Sequence, residues 1–246
     1  MTSLAWQAVE RARRERAGEP VLVDIGSQGR TELSAISFEN AAAKAANALL
    51  DPLDTELGDV VVIDLPVHWQ RAVWTMAVWT VGGIVRVGGV EAALADGDCS
   101  LIITHGDAVT DEVAHGSSGV PVGVVSLHPL GLPGPPVPGA EDLSVLARLA
   151  PDGLLAPEVP PSAPALVAPD DAAPMTQGQC RAHVVERLTQ PGRVLLQVDH
   201  LTPLDALLLP AWGPVSAGTS IVLASGMADI EAVIRTERIA WSIPAI

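Results

Sequence analysis

The chain has 246 residues, 48% hydrophobic and only 17% charged, enough apolar material for one large domain or two packed lobes. Fourteen basic residues against 29 acidic ones give a net charge of −15, which repels a phosphate backbone and an anionic membrane surface alike, so neither nucleic acid nor membrane is expected as a partner. No apolar run reaches the roughly 18 residues that span a bilayer. Apolar residues precede the basic cluster Arg11 to Arg16, the reverse of a secretory signal, and a cytoplasmic location with Cys99 and Cys180 reduced is expected.

In chain order, Leu4 to Arg16 carries good helix formers with Leu4, Ala8 and Ala12 on one face and reads as a helix. Val21 to Ile25 and Thr31 to Leu33 flank Gly26-Ser-Gln-Gly29, the pattern of a hairpin. Ser37 is a candidate N-cap for a helix from Phe38 to about Leu50, with Phe38, Ala42, Ala45 and Leu49 on one face. The β-branched run Val60 to Ile63 suits a strand buried on both faces. Trp69 to Val81 is then long enough for a helix, and Ile84 to Val87, Ser100 to Thr104 and Val120 to Ser126 read as strands. Alternation of strand and helix predicts crossovers and a largely parallel sheet.

Five prolines between Pro129 and Pro138 exclude regular structure there. A short helix around Glu141 to Leu149 interrupts a connector that wraps over the surface. A second α/β unit follows: strand Ala165 to Val167, helix Thr176 to Leu188, strand Arg193 to Val198 and helix Pro203 to Leu209. It ends with strand Thr219 to Ala224, helix Met227 to Arg235 and strand Ile239 to Ile243. The predicted organisation is a first lobe over 1–135, a Pro-rich connector over 136–164 and a second lobe over 165–246. The fold class is α/β: two lobes of largely parallel sheet with flanking helices.

Several short motifs are better explained by structure than by chemistry. His115-Gly-Ser-Ser-Gly119 lacks the Gly-x-Ser-x-Gly of a nucleophile elbow and reads as a polar loop. Cys180 and His183 are spaced like half of a zinc site with no second pair to complete it, so no metal is predicted. Gly82-Gly83 and Gly88-Gly89 lack dinucleotide-binding spacing and read as turns. His68-Trp69-Gln70, after Pro66, stands at the C-terminal end of a central parallel strand, where ligands gather in open α/β sheets. His68 and Trp69 are the candidate ligand-binding residues, but the favoured reading is structural: His68 caps or starts the helix and Trp69 packs. Trp69, Trp74 and Trp79 do not form one helical stripe, and packing accounts for them.

Gly58-Asp-Val-Val-Val-Ile-Asp-Leu-Pro66, the Trp-rich helix and Val81-Gly-Gly-Ile-Val-Arg-Val87 together resemble an early segment of adenylate-forming enzymes. Arg193-Val-Leu-Leu196 to Ser216-Ala-Gly-Thr219 is similar to a segment midway through their large domain, and Ile230 to Trp241 to the helix and strand that follow. A closer resemblance is to an actinobacterial family distantly similar to amino-acid adenylation domains, carried here by Arg30-Thr-Glu-Leu-Ser34 and Leu65-Pro-Val-His-Trp-Gln70. It implies a shortened version of the N-terminal part of an AMP-binding domain.

Departures from that pattern bear on function. Such enzymes need a Ser/Thr/Gly-rich loop ending in Pro-Lys, because backbone N–H groups wrap the ATP phosphates and Lys neutralises them. At that place stands Ala168-Pro-Asp-Asp-Ala-Ala-Pro174, with two carboxylates, two prolines and neither Gly nor Lys. The family's aromatic-His pair falls on Leu201 and Thr202; the sequence ends at Ile246, before the segments the resemblance assigns to adenine, magnesium and the catalytic lysine; and Lys44 lies in an early helix. The expectation is a degenerate, non-catalytic homologue with no catalytic residues and no cofactor, binding a small molecule or a protein as a scaffold. The alternative is an enzyme with residual nucleotide- or acyl-handling activity. A mean hydropathy of +0.34 and an apolar final strand predict a homodimer formed near the C-terminal segment, or an unidentified protein partner covering the same face.

Overall fold

The computed structural model describes residues 1–109, 119–167, 173–226 and 229–243. The first half runs α1 (Leu4–Arg16), β1 (Pro20–Gly26), β2 (Gly29–Ser34), α2 (Ala35–Leu50), β3 (Val60–Ile63), α3 (Trp69–Val81), β4 (Ile84–Val87), α4 (Val90–Asp96), β5 (Leu101–His105) and β6 (Val122–Val125). There follow β7 (Glu141–Asp142), α5 (Leu143–Leu149), β8 (Pro164–Val167), β9 (Met175–Thr176), α6 (Gln177–Arg187) and β10 (Gly192–Gln197). The last elements are α7 (Pro203–Trp212), β11 (Thr219–Ala224), α8 (Ile230–Thr236) and β12 (Trp241–Ser242).

Two sheets form, with strand orders β12-β10-β11-β1-β2 and β7-β6-β5-β3-β4-β8-β9. Both are parallel except for the hairpin β1–β2 and the short pair β8–β9. Each sheet draws strands from both stretches of chain: β1 pairs with β11, Leu22 opposite Ile221, while β8 pairs with β4, Leu166 opposite Val85. The division into 1–135 and 165–246 thus describes the order of the chain and not the grouping of its strands. Pairing is decided by which apolar faces meet, a long-range property that local pattern does not carry.

Strand alternation explains how one helical layer serves both sheets. Val61 and Ile63 of β3, and Leu22 of β1, enter the main core between the sheets; Val62 and Val23 turn to the outer faces, beside Ile102 and Val122 in one case and Leu195 and Val222 in the other. α3 lies in that central layer and is buried around its whole circumference, which is why its tryptophans form no single stripe. The Trp79 indole stacks on Trp212 of α7 with centroids 5.6 Å apart and donates its Nε1–H to the Ala165 carbonyl of β8 at 2.7 Å. Gln177 of α6 donates to the Trp79 carbonyl at 2.8 Å and accepts from the Ala5 N–H of α1 at 2.9 Å. Four elements far apart in sequence meet on one side chain and its neighbour. Among the described residues, no helix is long and apolar enough to cross a membrane.

Some element ends differ from expectation. α2 starts three residues early: the Ser34 hydroxyl, not that of Ser37, caps it, accepting the Ser37 N–H at 3.2 Å. Two serines in one turn look alike in composition, and only the backbone angles separate them. The helix α4 follows Gly88-Gly89, where the sequence suggests only a turn. The final strand shrinks to Trp241–Ser242 because Arg238 adopts φ 52° and the Ile239 N–H bonds back to the Ile234 carbonyl. The preceding helix begins at Ile230, capped by Asp229; Met227 and Ala228 lie outside the described residues.

Candidate functional site

The C-terminal ends of strands from both sheets converge on one cleft of about 350 Å³. β1 and its turn contribute Asp24, Gly26 and Ser27 to Gly29; the loop after β3 contributes Pro66, Val67 and His68. Leu127 and Pro129 come from beyond β6, Val198 and Asp199 from the end of β10, and Ser225 from the end of β11. Parallel strands present their free ends on one side, so a groove there is the expected product of the topology. Thr31 on β2 donates its hydroxyl to the Pro129 carbonyl at 2.9 Å and fixes the loop against the hairpin.

Asp24 and His68 form the polar centre. The Asp24 side chain is only 6% exposed; its Oδ2 accepts the Trp69 N–H at 2.9 Å and lies 3.4 Å from His68 Nε2. His68 is the N-cap of α3, and its Nδ1 accepts the Gln70 N–H at 3.3 Å. With Nδ1 accepting, the neutral ring carries its proton on Nε2, facing Asp24. Both groups are driven towards their uncharged forms. Burial pushes the Asp24 carboxyl up to about 6, against the Trp69 N–H that pulls it down, and burial pushes the His68 imidazole down to about 4.

The sequence-predicted pair faces two different cavities, although the His68 and Trp69 rings lie only 5.7 Å apart. His68 lines the cleft while also capping its helix, whereas Trp69 is buried and its ring lines a different, smaller cavity of about 140 Å³ with Val73, Trp74 and Leu130. Asp24 was missed, although one signal existed: it is the single acid inside the apolar run Val21 to Ile25. Ser27, Gln28 and Asp199 carry no such signal, since turn and strand-end polarity is ordinary.

His183 and Cys180 do not act together: His183 Nε2 bonds Asp205 at 2.8 Å, while Cys180 is buried and its thiol pushed up to about 12 by that burial. Among the described residues no group of three or more His, Cys, Asp or Glu could hold a metal ion. The Gly-Ser-Ser motif before Gly119 and the stretch from Ala168 to Ala172 lie outside the described residues.

The opposed shifts make a pH prediction. Across about pH 4 to 6.5 the folded state holds fewer protons at His68 than the unfolded chain does, so that residue makes stability rise with pH. Across about pH 3.8 to 6 the folded state keeps a proton on Asp24 that the unfolded chain has lost, so Asp24 makes stability fall with pH. The two slopes offset each other in the wild type. Relative to it, His68→Gln is expected to tilt the urea-unfolding free energy downward between pH 4 and 6 by up to about 1.4 kcal/mol per pH unit, and Asp24→Asn to tilt it upward. Parallel profiles for all three proteins would show that these groups do not titrate as assigned.

No family profile matches the chain. A Mycobacterium tuberculosis protein described as a TIGR03089 family protein is 32% identical over 203 residues, covering 81% of this chain and 79% of that one. Among solved structures, a Brucella canis acyl-CoA synthetase superposes with a TM-score of 0.78 at 15% identity, covering 98% of this chain and 47% of that one. The N-terminal domain of FACL13 from Mycobacterium tuberculosis gives 0.71 at 13% identity, covering 98% and 62%. The coronafacic acid ligase of Pectobacterium brasiliense gives 0.74 at 13% identity, covering 98% and 49%. The chain therefore spans about half the length of the synthetase and the ligase it matches, and it shares the fold of the N-terminal domain of adenylate-forming enzymes.

Proposed function

We infer the function of this chain from the premise that it belongs to the TIGR03089 family and has the adenylate-forming fold: it is a non-adenylating scaffold that holds a small ligand in the cleft at Asp24 and His68. The observation that carries the reading is the chemistry of the link between β8 and β9. A phosphate cradle consists of backbone N–H groups aimed at oxygen atoms, backed by a cation. Between Val167 and Met175 the chain offers Pro169 and Pro174, which have no N–H, and Asp170 and Asp171, which add negative charge; it offers no Gly and no Lys. The chain's one lysine, Lys44, is committed on α2, where its Nζ donates to the Ala150 carbonyl and pairs with Asp152, both at 2.8 Å. A cleft at the strand ends, in a chain whose β8–β9 link lacks the residues that hold a triphosphate, supports binding without adenylation.

ATP–pyrophosphate exchange tests the proposal. Across a panel of amino acids and fatty, aryl and short-chain carboxylic acids, exchange is expected to stay at the protein-free background. Saturable, protein-dependent exchange with any of them would overturn the reading.

A further inference from the structure

We infer that the cleft takes a cation: a small molecule whose primary ammonium group seats against the Asp24 carboxylate, an inference that rests on the reading of this cleft as the ligand site. The argument starts from the charges on its wall. Among the described residues that line it, two are carboxylates, Asp24 and Asp199, and none is Lys or Arg. The one basic ring, His68, is held neutral by burial. An anionic ligand would meet two like charges and no compensating cation, at a site partly withdrawn from water, where such repulsion is little screened.

The geometry of Asp24 supplies the anchor. Both of its contacts, the Trp69 N–H and the His68 ring, fall on Oδ2, so Oδ1 is the acceptor left for a ligand. A carboxylate that is buried and short of donors is costly, and a donor-rich cation that reaches it recovers that cost. An ammonium brings three N–H groups. One fits Asp24 Oδ1, and the surrounding wall carries further acceptors in the hydroxyls of Ser27 and Ser225 and the amide of Gln28. Asp199, exposed at the rim, adds attraction at the entrance, and the net charge of −15 favours the approach of cations over anions from a distance. Val67, Leu127 and Val198 line the rest, which suits a short hydrocarbon segment behind the ammonium.

Three isosteric probes separate the possibilities by calorimetric titration of the full chain at pH 7.5 and low salt: 1,4-diaminobutane, the neutral 1,4-butanediol and the dianion succinate. Saturable binding of the diamine alone is expected. Asp24→Asn should weaken it about tenfold or more, Asp199→Asn about twofold, as befits an exposed charge, and Glu186→Gln, an exposed carboxylate on α6, not at all. Asn keeps an acceptor for the Trp69 N–H, and a thermal unfolding scan checks that the Asp24→Asn variant folds. Should it not fold, the Asp199→Asn and Glu186→Gln pair decides: equal affinities overturn the inference. No saturable binding of the diamine, or binding indifferent to Asp24→Asn, overturns it as well. Binding of succinate that His68→Ala abolishes would overturn the cation while leaving the cleft as the ligand site. Binding of none of the probes in a manner sensitive to Asp24 or His68 would remove both.

Discussion

Trp79→Ala is expected to cost about 4 kcal/mol of folding stability, a large share of the roughly 5–15 kcal/mol that holds a typical domain folded. The indole is fully buried in the central helical layer. Truncation removes the stack on Trp212, leaves the Ala165 carbonyl of β8 without its donor, and opens a cavity bounded by α3, α7 and β8. Neighbouring side chains collapse poorly into such a hole because sheets bound the helices on both sides. Trp79→Phe, which keeps most of the packing and loses the N–H, is expected to cost about 2 kcal/mol. Urea unfolding followed by circular dichroism measures both. A cost below about 2 kcal/mol for the alanine variant would mean that the central layer is plastic.

Glu237→Ala is expected to cost about 2–3 kcal/mol. Glu237 follows α8, and its side chain is only 6% exposed. It accepts from Arg30 Nε of β2 at 2.6 Å and from Arg193 Nη1 of β10 at 2.9 Å, so one carboxylate ties the hairpin edge of the five-stranded sheet to β10 across β1 and β11. Arg30 is 44% exposed and can return to water, which holds the cost below that of a fully buried pair; Arg193, 23% exposed, has less freedom. The bond from Arg30, with the positive charge of Arg193, holds Glu237 below the ordinary glutamate range despite its burial. A group shifted downward stabilises the fold above its unfolded value and stops doing so as pH falls through its folded value. The penalty of Glu237→Ala should therefore be full at pH 7 and shrink as the solution is taken well below pH 4.5. A penalty that did not change with pH would assign the loss to packing alone.

The parts of the fold that were legible in the sequence are those written in short-range pattern. α1, β3, α3, β4 and β11 have the expected bounds because periodicity, a Gly turn or a capping residue marks each of them. Val60 to Ile63, a run without alternation, correctly signalled a strand covered on both faces. What the pattern could not carry was partnership. Nothing in Val21 to Ile25 announces that β1 pairs with Thr219 to Ala224, and for the same reason nothing announced that Asp24 would meet His68, whose loop follows a strand of the other sheet. Strand-end topology put both His68 and Trp69 at the mouth of the sheet; in the structure His68 lines the cleft and the Trp69 ring lines the smaller cavity beside it.

The pairing of β1 with β11 also has a consequence for the order of assembly. Leu22 finds its partner in Ile221, almost the whole chain away, while β3, β4, β5 and β6 pair among themselves within a short stretch. During synthesis the hairpin β1–β2 emerges long before Thr219–Ala224, so the pairing of β1 with β11 is expected to come late. Closing so long a loop is slow compared with local pairing. The hairpin is expected to act as a latch rather than a nucleus: β3 to β6 pair first, and the Asp24 wall of the cleft is completed only when β1 meets β11.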